Sequence, residues 1–213
     1  MNPPTQLGKR LFDLALTIPA LLLLAPVLLV VALLIRFKLG TPVLFRQERP
    51  GLRGQPFILL KFRTMTDARA ATGELLPDKE RAHPFGQMLR RTSLDELPEL
   101  LNVLKGEMSL VGPRPLLMRY LPRYTPEQNR RHDVLPGITG LAQVSGRNNL
   151  SWDDKFAIDV QYVDRCSLWL DIKILLLTVR AVTAADGVSA PSHFSAPEFM
   201  GAAAGERGGK ENA

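Results

Sequence analysis

The stretch SLDELPELLNVLKGEMSLVGPRP, residues 93–115, places two adjacent carboxylates, Asp95 and Glu96, directly before an apolar repeat. The repeat has helical spacing and runs through Leu97, Leu100, Leu101 and Leu104. Gly106 follows it as a helix stop. Pro98 lacks a backbone N–H and therefore fits only the first turn of a helix, where that donor would be unpaired anyway. The sequence thus predicts a helix with both carboxylates at its N-terminal end.

Two interpretations of this acidic pair are open from these residues alone. In the first, Ser93 is the N-cap of the helix and Glu96 is its capping-box partner, which would stabilise the helix by about 1 kcal/mol. In the second, the pair carries out chemistry. The residues on either side of the stretch decide between the two.

The charge balance of the 213-residue chain indicates an anionic partner. Lys and Arg total 27 against 21 Asp and Glu, which gives a net charge of +6 and a sequence pI near 9.8. Phosphate-bearing substrates, acidic lipid headgroups and nucleic acid all fit this charge. Nucleic acid is disfavoured, because only 7% of the residues are aromatic and the sequence contains no zinc-finger spacing or RNA-binding aromatic motif. The single cysteine, Cys166, excludes an internal disulfide and a cysteine zinc cluster, and we expect a buried, inert thiol.

Residues 11–35, LFDLALTIPALLLLAPVLLVVALLI, form an apolar run long enough to cross a hydrocarbon core of about 30 Å as a helix. Basic residues flank both of its ends, at Lys9, Arg10, Arg36 and Lys38. The positive-inside rule therefore assigns both ends to the cytoplasmic side. Pro19 and Pro26 each remove a backbone hydrogen bond and bend a helix. The sequence favours a re-entrant helix that enters and leaves by one face over a simple span or a cleaved signal peptide.

Asp13 is the charged residue within this run. A carboxylate is costly in lipid, and Arg10 lies three residues earlier in the chain. We expect the two side chains to pair near the membrane interface.

Two short strands follow the apolar run. Residues 43–48 and 57–64 have strand character and flank a Pro-Gly connection, which predicts a β-hairpin. Lys61 and Arg63 lie two residues apart on the second strand and so share one face. They are either solvated surface cations or contacts for a diphosphate. Residues 67–82 have no apolar period and are predicted to form a surface excursion.

Arginines lie on both sides of the acidic pair. Arg90 and Arg91 come just before it, and they either neutralise the carboxylates or hold a phosphate against them. Arg114 lies between two prolines in GPRP, residues 112–115, so its guanidinium starts from a stiff backbone. Stiffness suits a bidentate contact with phosphate, and an ordinary proline-rich turn is the alternative.

Residues 136–147, PGITGLAQVSGR, form a glycine-rich loop with a strand-like middle that ends in Arg147. Backbone N–H groups of such loops can bind anions, and the absence of a following Walker lysine excludes a P-loop. His83 and His132 lack metal-ligand spacing and are predicted to be surface residues.

Two helices are predicted in the C-terminal third. Ser151 is an N-cap followed by acidic residues, and it starts the first helix. Residues 167–183 are apolar with interspersed charges. They fit either a helix that lies on the bilayer, with Trp169 at headgroup level, or a buried core helix.

Together these elements predict an α+β fold that is mainly helical. It comprises an N-terminal proline-broken re-entrant membrane helix, a small β-hairpin and interfacial amphipathic helices. We divide the chain into a membrane anchor at 1–38, a cytoplasmic-face catalytic domain at 39–188 and a C-terminal tail at 189–213. The tail is rich in small residues and is expected to be extended or disordered, although Phe194 and Phe199 can dock.

An acidic pair in a basic protein at a bilayer surface suggests chemistry on a phosphate whose partner lies in the lipid. A carboxylate such as Asp95 can attack a phosphoryl group and form an acyl phosphate, and a reference pKa of about 4 leaves it ionised at neutral pH. Arginine, lysine and a divalent cation would neutralise the phosphate oxygens. The competing hypothesis is a membrane-surface adaptor that binds acidic lipid, in which the pair is only a helix cap.

Several motifs in a fixed order carry a resemblance that covers residues 9–188. They are KRLFD at 9–13, the proline-broken apolar helix, QERPG at 47–51, KFRTM at 61–65, SLDEL at 93–97, NVLKGEMS at 102–109, GPRP at 112–115 and PGITG at 136–140. With these motifs the chain resembles the bacterial sugar transferase family, the monotopic phosphoglycosyl transferases of bacterial glycoconjugate pathways. Within that family it looks most like the transferases that move diacetylbacillosamine 1-phosphate from its UDP-sugar to undecaprenyl phosphate.

The resemblance implies transfer of a sugar 1-phosphate from a UDP-sugar to polyprenyl (undecaprenyl) phosphate, with release of UMP. It implies that Asp95 is the nucleophile of a covalent phosphosugar intermediate and that Glu96 assists, as a base or by positioning Mg2+ at this pair. Substrate contacts are expected from Lys61, Arg90, Arg114 and Arg147. Ping-pong kinetics follow from the two displacements.

The resemblance also implies a monotopic protein on the cytoplasmic face of the bacterial inner membrane. Its expected partners are the UDP-sugar, the polyprenyl phosphate and membrane lipid, without nucleic acid, and a homodimer stays open. UDP-galactose and a UDP-N-acetylhexosamine are alternative donors. Many members have Ser before the mid-helix proline, whereas this chain has Ala25 before Pro26 and lacks a hydroxyl that could bond a freed carbonyl. The sharpness of the bend therefore does not follow from the resemblance.

Overall fold

The computed structural model describes residues 6–146, 150–183 and 198–201. The helices are α1 (Gln6–Lys38), α2 (Asp78–Arg81), α3 (Pro84–Arg91), α4 (Glu99–Lys105), α5 (Pro126–Asn129), α6 (Leu141–Ser145), α7 (Trp152–Arg165) and α8 (Leu168–Thr183). The strands are β1 (Leu44–Pro50), β2 (Pro56–Phe62), β3 (Ser109–Val111) and β4 (Gly137–Thr139). Short 3-10 helices lie at Leu52–Gly54, Leu94–Glu96, Met118–Arg123 and Arg130–His132. The described residues form the predicted α+β fold, mainly helical with a small antiparallel hairpin.

The apolar run forms one long helix, α1, which continues through Pro19 and Pro26. Among the described residues it is the one helix long and apolar enough to cross a membrane, and most of its leucines are exposed. Near its C-terminal end Val31 and Ile35 are buried in a cluster with Phe62 of the hairpin. The exposed apolar surface of α1 supports membrane association, while a re-entrant path through the bilayer stays a prediction.

The predicted pairing of Asp13 with Arg10 is wrong. Asp13 is buried, its Oδ1 accepts a hydrogen bond from Leu110 N at 3.2 Å, and its nearest cation is Lys9, whose Nζ lies 3.8 Å from Oδ1. Arg10 instead donates to the carbonyls of Val103 and Leu104 at 2.5 and 2.7 Å, at the C-terminal end of α4. The start of α1 therefore packs on the globular part of the chain, where backbone groups take the place of the expected ion pair.

The predicted hairpin is confirmed, with β1 and β2 antiparallel and Leu44 opposite Phe62. The two cations expected to share a face have separate roles. Lys61 lies in β2 and contacts acidic side chains. Arg63 follows the strand, is buried, and donates to Thr41 O at 2.7 Å and Met65 O at 2.8 Å. Its donors are thus engaged in shaping the chain after the hairpin.

A second, parallel sheet pairs β3 with β4, with Ser109 opposite Gly137. This pairing gives the glycine-rich loop a packing role. A Cβ on Gly137 would lie 2.1 Å from Gly112 N, and one on Gly140 would lie 2.2 Å from Gly112 O. Only glycine permits this approach of two backbones. The loop therefore supports the turn that carries Arg114, which the hypothesis of an anion cradle did not foresee.

The C-terminal helices match their predicted positions. Ser151 caps α7 by accepting a hydrogen bond from Asp154 N at 3.1 Å. In α8, Ile174 is fully buried while Trp169 and Leu176 are exposed, so the helix combines a core face with an apolar surface face. The buried face confirms the interpretation as a core helix for part of the circumference, and contact of the exposed apolar face with the bilayer stays a prediction.

The prediction of His132 as a surface residue is wrong. Its ring is buried and lies 5.6 Å from that of Tyr124, and burial and Arg131 lower the pKa of His132 to about 4. His83 is half-buried and accepts a hydrogen bond from Phe85 N as the N-cap of α3. Cys166 is half-buried rather than buried, and burial raises the pKa of its thiol.

Candidate active site

The acidic pair lies in the 3-10 turn Leu94–Glu96, directly before α4. Ser93 has φ 56° and makes no capping hydrogen bond with its side chain, and Pro98 occupies the N-cap position of α4. The predicted capping box of Ser93 and Glu96 is therefore wrong. The left-handed backbone at Ser93 turns the chain sharply, so the two carboxylates leave the helix axis and point to neighbouring elements. Gly106, with φ 87°, ends α4 as predicted.

Glu96 is held by two cations from different parts of the chain. Its Oε1 lies 2.5 Å from Arg114 Nη2 and 2.7 Å from Lys61 Nζ. Burial works against ionisation, but Arg114 and Lys61 outweigh it and hold the pKa of Glu96 at about 2. Glu96 is therefore a permanent anion that brings β2 and the GPRP turn together at the acidic pair.

Asp95 has a different environment. Its residue is 8% exposed, and its carboxylate accepts no hydrogen bond from any residue that the structure describes. Burial, followed by the charge of Glu96, raises the pKa of Asp95, while Lys61, Arg114 and Arg90 act in the opposite direction. Asp95 is thus a carboxylate among cations whose oxygens accept no hydrogen bond from the described part of the chain.

Sequence reasoning missed a third carboxylate, Glu99, in the first turn of α4. Glu99 is 2% exposed, and its Oε1 lies 3.0 Å from Lys61 Nζ. Burial raises the pKa of Glu99 to about 7, and Glu96 adds to the rise. A signal was present, because Glu99 lies three residues after Glu96 and such residues share a helix face. The apolar repeat around Glu99 indicates a packed helix and does not single out this carboxylate.

Asn102 of α4 aligns this helix with the hairpin. The side-chain oxygen of Asn102 accepts a hydrogen bond from Leu60 N at 3.0 Å, and its nitrogen donates to Ile58 O at 2.7 Å. The amide therefore extends the hydrogen bonding of β2, in the manner of a neighbouring strand. Lys61, the next residue along β2, is in this way held opposite Glu96 and Glu99.

Arg90 approaches the acidic pair from the end of α3. Its Nε donates to Thr64 Oγ1 at 2.9 Å. Helix α3 approaches Thr64 closely at Gly86, where a Cβ would lie 1.8 Å from Thr64 O. Of the four predicted substrate-contact residues, the structure brings Lys61, Arg90 and Arg114 to the acidic pair. The fourth, Arg147, lies outside the described residues.

Arg131 is a second residue that sequence reasoning missed. It is buried, its Nη2 donates to Arg114 O at 2.7 Å, and it pairs with Asp159 of α7 at 2.7 Å. No local motif indicates this role, because the partners of Arg131 lie 17 and 28 residues away in the chain. Arg131 fixes the backbone from which the Arg114 side chain starts.

A divalent cation at the acidic pair stays a prediction, and Asp95 and Glu96 are the side chains that would hold it. Within the described ranges no group of three His, Cys, Asp or Glu side chains could by itself hold a metal ion. Mg2+ is commonly bound through one or two carboxylates together with substrate phosphates and water. Asp95, which accepts no hydrogen bond within those ranges, and the neighbouring Glu96 fit that partial set of ligands.

Comparisons with known proteins agree with these features. The sequence model of the family described as bacterial sugar transferase matches residues 4–185. The uncharacterized sugar transferase EpsL of Bacillus subtilis is 55% identical over 193 residues, which cover 91% of this chain and 96% of EpsL.

Two further relatives carry more specific names. The UDP-glucose:undecaprenyl-phosphate glucose-1-phosphate transferase of Caulobacter vibrioides is 41% identical over 195 residues, 84% of this chain and 71% of that protein. The galactosyl transferase CpsE of Streptococcus agalactiae is 41% identical over 85% of this chain, which spans only 43% of CpsE. The match over nearly the whole chain and these identities establish that the chain belongs to the bacterial sugar transferase family.

Proposed function

We propose that this protein transfers a sugar 1-phosphate from a UDP-sugar to polyprenyl (undecaprenyl) phosphate and releases UMP, as an early membrane step of glycoconjugate or polysaccharide assembly. The observation that carries the proposal is the buried carboxylate of Asp95, which accepts no hydrogen bond within the described ranges and lies beside Glu96, Lys61, Arg90 and Arg114. The name of one relative supports it, since the Caulobacter vibrioides protein is named a UDP-glucose:undecaprenyl-phosphate glucose-1-phosphate transferase.

In the first displacement, an Asp95 carboxylate oxygen attacks the phosphorus that bears the sugar. A bond forms between this oxygen and phosphorus, the phosphoanhydride bond to the uridylyl group breaks, and UMP leaves with the electron pair. In the second displacement, a phosphate oxygen of the polyprenyl phosphate attacks the same phosphorus and the Asp95 carboxylate leaves. The product is polyprenyl-diphospho-sugar, and the enzyme returns to its starting state.

The surrounding residues stabilise charge and orient the reactants. Arg114 and Lys61, already fixed on Glu96, direct positive charge at the phosphate oxygens, and Arg90 adds a third cation near Asp95. Glu96 keeps these cations in place through both displacements. Mg2+ held by Asp95, Glu96 and phosphate oxygens would supply further neutralisation of negative charge.

The membrane helix gives the lipid acceptor access to this site. The leucine-rich surface of α1 suits contact with lipid, and Arg10 joins the start of α1 to the end of α4. We place the protein on the cytoplasmic face of the bacterial inner membrane, with α1 as a re-entrant anchor, because basic residues flank both of its ends. The relatives named for glucose and galactose favour a UDP-hexose as donor, and the narrower resemblance to bacillosamine transferases remains a prediction.

Replacing the proposed nucleophile tests this function. Asp95→Asn, purified in detergent or nanodiscs, is expected to release no UMP from a panel of UDP-sugars in the presence of undecaprenyl phosphate and Mg2+. The exposed Asp133→Asn is the matched control and should keep wild-type rates. Wild-type rates in Asp95→Asn would exclude Asp95 as the nucleophile. Binding of acidic vesicles without nucleotide binding in the wild type would favour the adaptor hypothesis.

A further inference from the structure

Residues 198–201, here called the tail clip, dock on the globular part of the chain. Phe199 of the clip is 4% exposed, as the sequence hypothesis of a docking phenylalanine anticipated. Its ring lies between 4.9 and 5.8 Å, centroid to centroid, from the rings of Tyr120, Tyr124, Trp152 and Phe156. Phe194 lies outside the described residues.

Polar contacts fix the clip on both sides of the Phe199 ring. Glu198 pairs with Arg123 at 2.9 Å and with Arg119 at 3.1 Å. The backbone of Phe199 accepts a hydrogen bond from Arg123 Nη1 at 2.5 Å and donates to Tyr120 Oη at 3.3 Å. Directional contacts of this kind define one position and one orientation for the clip, whereas apolar contact alone does not. The family model matches residues 4–185, so the clip lies beyond the matched residues.

The rings that surround Phe199 also hold Arg131. The guanidinium of Arg131 lies 5.8 Å from the centroid of the Tyr124 ring and 5.6 Å from that of Phe156. The same two rings contact Phe199, at 5.7 Å for Tyr124 and 4.9 Å for Phe156. Arg131 in turn donates to the backbone oxygen of Arg114 at 2.7 Å, and Arg114 contacts Glu96. A continuous series of packed groups thus joins the clip to the acidic pair.

We propose that Phe199 is a positioning residue for the active site. Phe199 packs against the rings of Tyr124 and Phe156, these rings contact Arg131, and Arg131 holds the backbone of Arg114 so that its side chain stays against Glu96. The inference rests on the proposed function. Its physical basis is close packing, since a void at Phe199 lets Tyr124 and Phe156 relax and the Arg131 guanidinium that contacts both rings shift. A displacement of Arg114 by a fraction of an ångström would slow the reaction at the phosphate, because catalytic groups act within narrow geometric limits.

Phe199→Ala tests the proposal against Met200→Ala, which removes an adjacent side chain that is 64% exposed. Rates of UMP release are normalised to folded protein, measured by circular dichroism. We expect kcat to fall by about 10-fold in Phe199→Ala, with KM for the UDP-sugar changed by less than about twofold, and to stay unchanged in Met200→Ala. Glu198→Gln, which keeps the ring and weakens its anchoring, should give a smaller loss and serves if Phe199→Ala folds poorly. A wild-type kcat in both Phe199→Ala and Glu198→Gln, with both proteins folded, would overturn the proposal.

Hydrogen exchange measured by mass spectrometry separates this inference from the proposed function. Phe199→Ala should speed amide exchange in residues 109–117, which carry Arg114, relative to wild type and Met200→Ala. A clip that only stabilises its own surroundings would change exchange in residues 118–124 and 152–156 alone, and that result would contradict the proposal. Absence of UMP release by the wild-type protein would refute the proposed function, and the exchange result would still decide the role of the clip.

Discussion

The two carboxylates of the acidic pair are adjacent in the chain and lie in opposite environments. Glu96 Oε1 contacts Arg114 and Lys61 at 2.5 and 2.7 Å, and its pKa is held at about 2. Asp95 accepts no hydrogen bond within the described residues, and burial raises its pKa. A carboxylate whose oxygen is held by two cations has less electron density to donate. The difference therefore favours a division of work in which Asp95 attacks phosphorus and Glu96 organises positive charge.

The largest loss of activity is expected from Glu96→Gln, which removes the charge that distinguishes Glu96 from a neutral side chain. The amide cannot neutralise Lys61 and Arg114, which would repel each other at the site, and we expect kcat to fall by about 100-fold or more. Stopped assays of UMP release measure the change. The exposed Glu48→Gln on the hairpin is the control and should be active.

The pH dependence of the residual activity sharpens the same comparison. The charge of Glu96 raises the pKa of Asp95, so its removal should lower that pKa. Because attack needs ionised Asp95, the fall in activity on acidification should begin at a lower pH in Glu96→Gln than in the wild type. An acid limb that stays in place or moves to higher pH would contradict the coupling of the two carboxylates.

A smaller effect is expected from Arg114→Lys. Lysine keeps the charge opposite Glu96 but loses the planar fork, while the contact from Arg131 to the backbone of residue 114 is retained. We expect a loss of about 10-fold in kcat, measured by UMP release. The exposed Arg46→Lys should match the wild type, and full activity in Arg114→Lys would show that charge alone suffices at this position.

The smallest effect on catalysis is expected from Glu99→Gln, whose main consequence concerns stability. The folded-state pKa of Glu99 is about 7 and its ordinary value is 4.5, so the folded protein binds a proton between these values that the unfolded chain does not. This contribution to stability is fully present below pH 4.5 and is lost as pH rises through 7, on the order of 3 kcal/mol. In thermal denaturation, the Tm of the wild type should decline from pH 5 to pH 8, and this decline should be smaller in Glu99→Gln. An equal decline in both proteins would place the titration elsewhere, and the exposed Glu127→Gln is the control.

Local patterns were sufficient to predict the elements around the site. The hairpin, the helix stop at Gly106 and the N-cap Ser151 all follow from the chemistry of a few residues and their immediate neighbours. Arg90 and Arg114 were brought to notice by their position next to the acidic pair and between prolines.

Contacts between distant residues were beyond such patterns. Asp13 accepts its hydrogen bond from Leu110, 97 residues away, and Arg131 reaches Asp159 across 28 residues. The capping box failed for a related reason, because the left-handed backbone at Ser93 turns the pair towards Lys61 and Arg114 instead of the helix N-terminus. The glycines at 137 and 140 are explained by a second backbone that the local sequence does not reveal.

Mass spectrometry of the covalent intermediate tests the central claim most directly. Wild-type protein incubated with a UDP-sugar and Mg2+, without polyprenyl phosphate, is digested with trypsin to yield residues 92–105, which contain Asp95, Glu96 and Glu99. We predict one sugar-phosphate adduct on this peptide, assigned to Asp95 by fragmentation, formed together with UMP and lost when polyprenyl phosphate is added. An adduct on Glu96, or UMP that forms only when the acceptor is present, would contradict the assignment of Asp95 as the nucleophile.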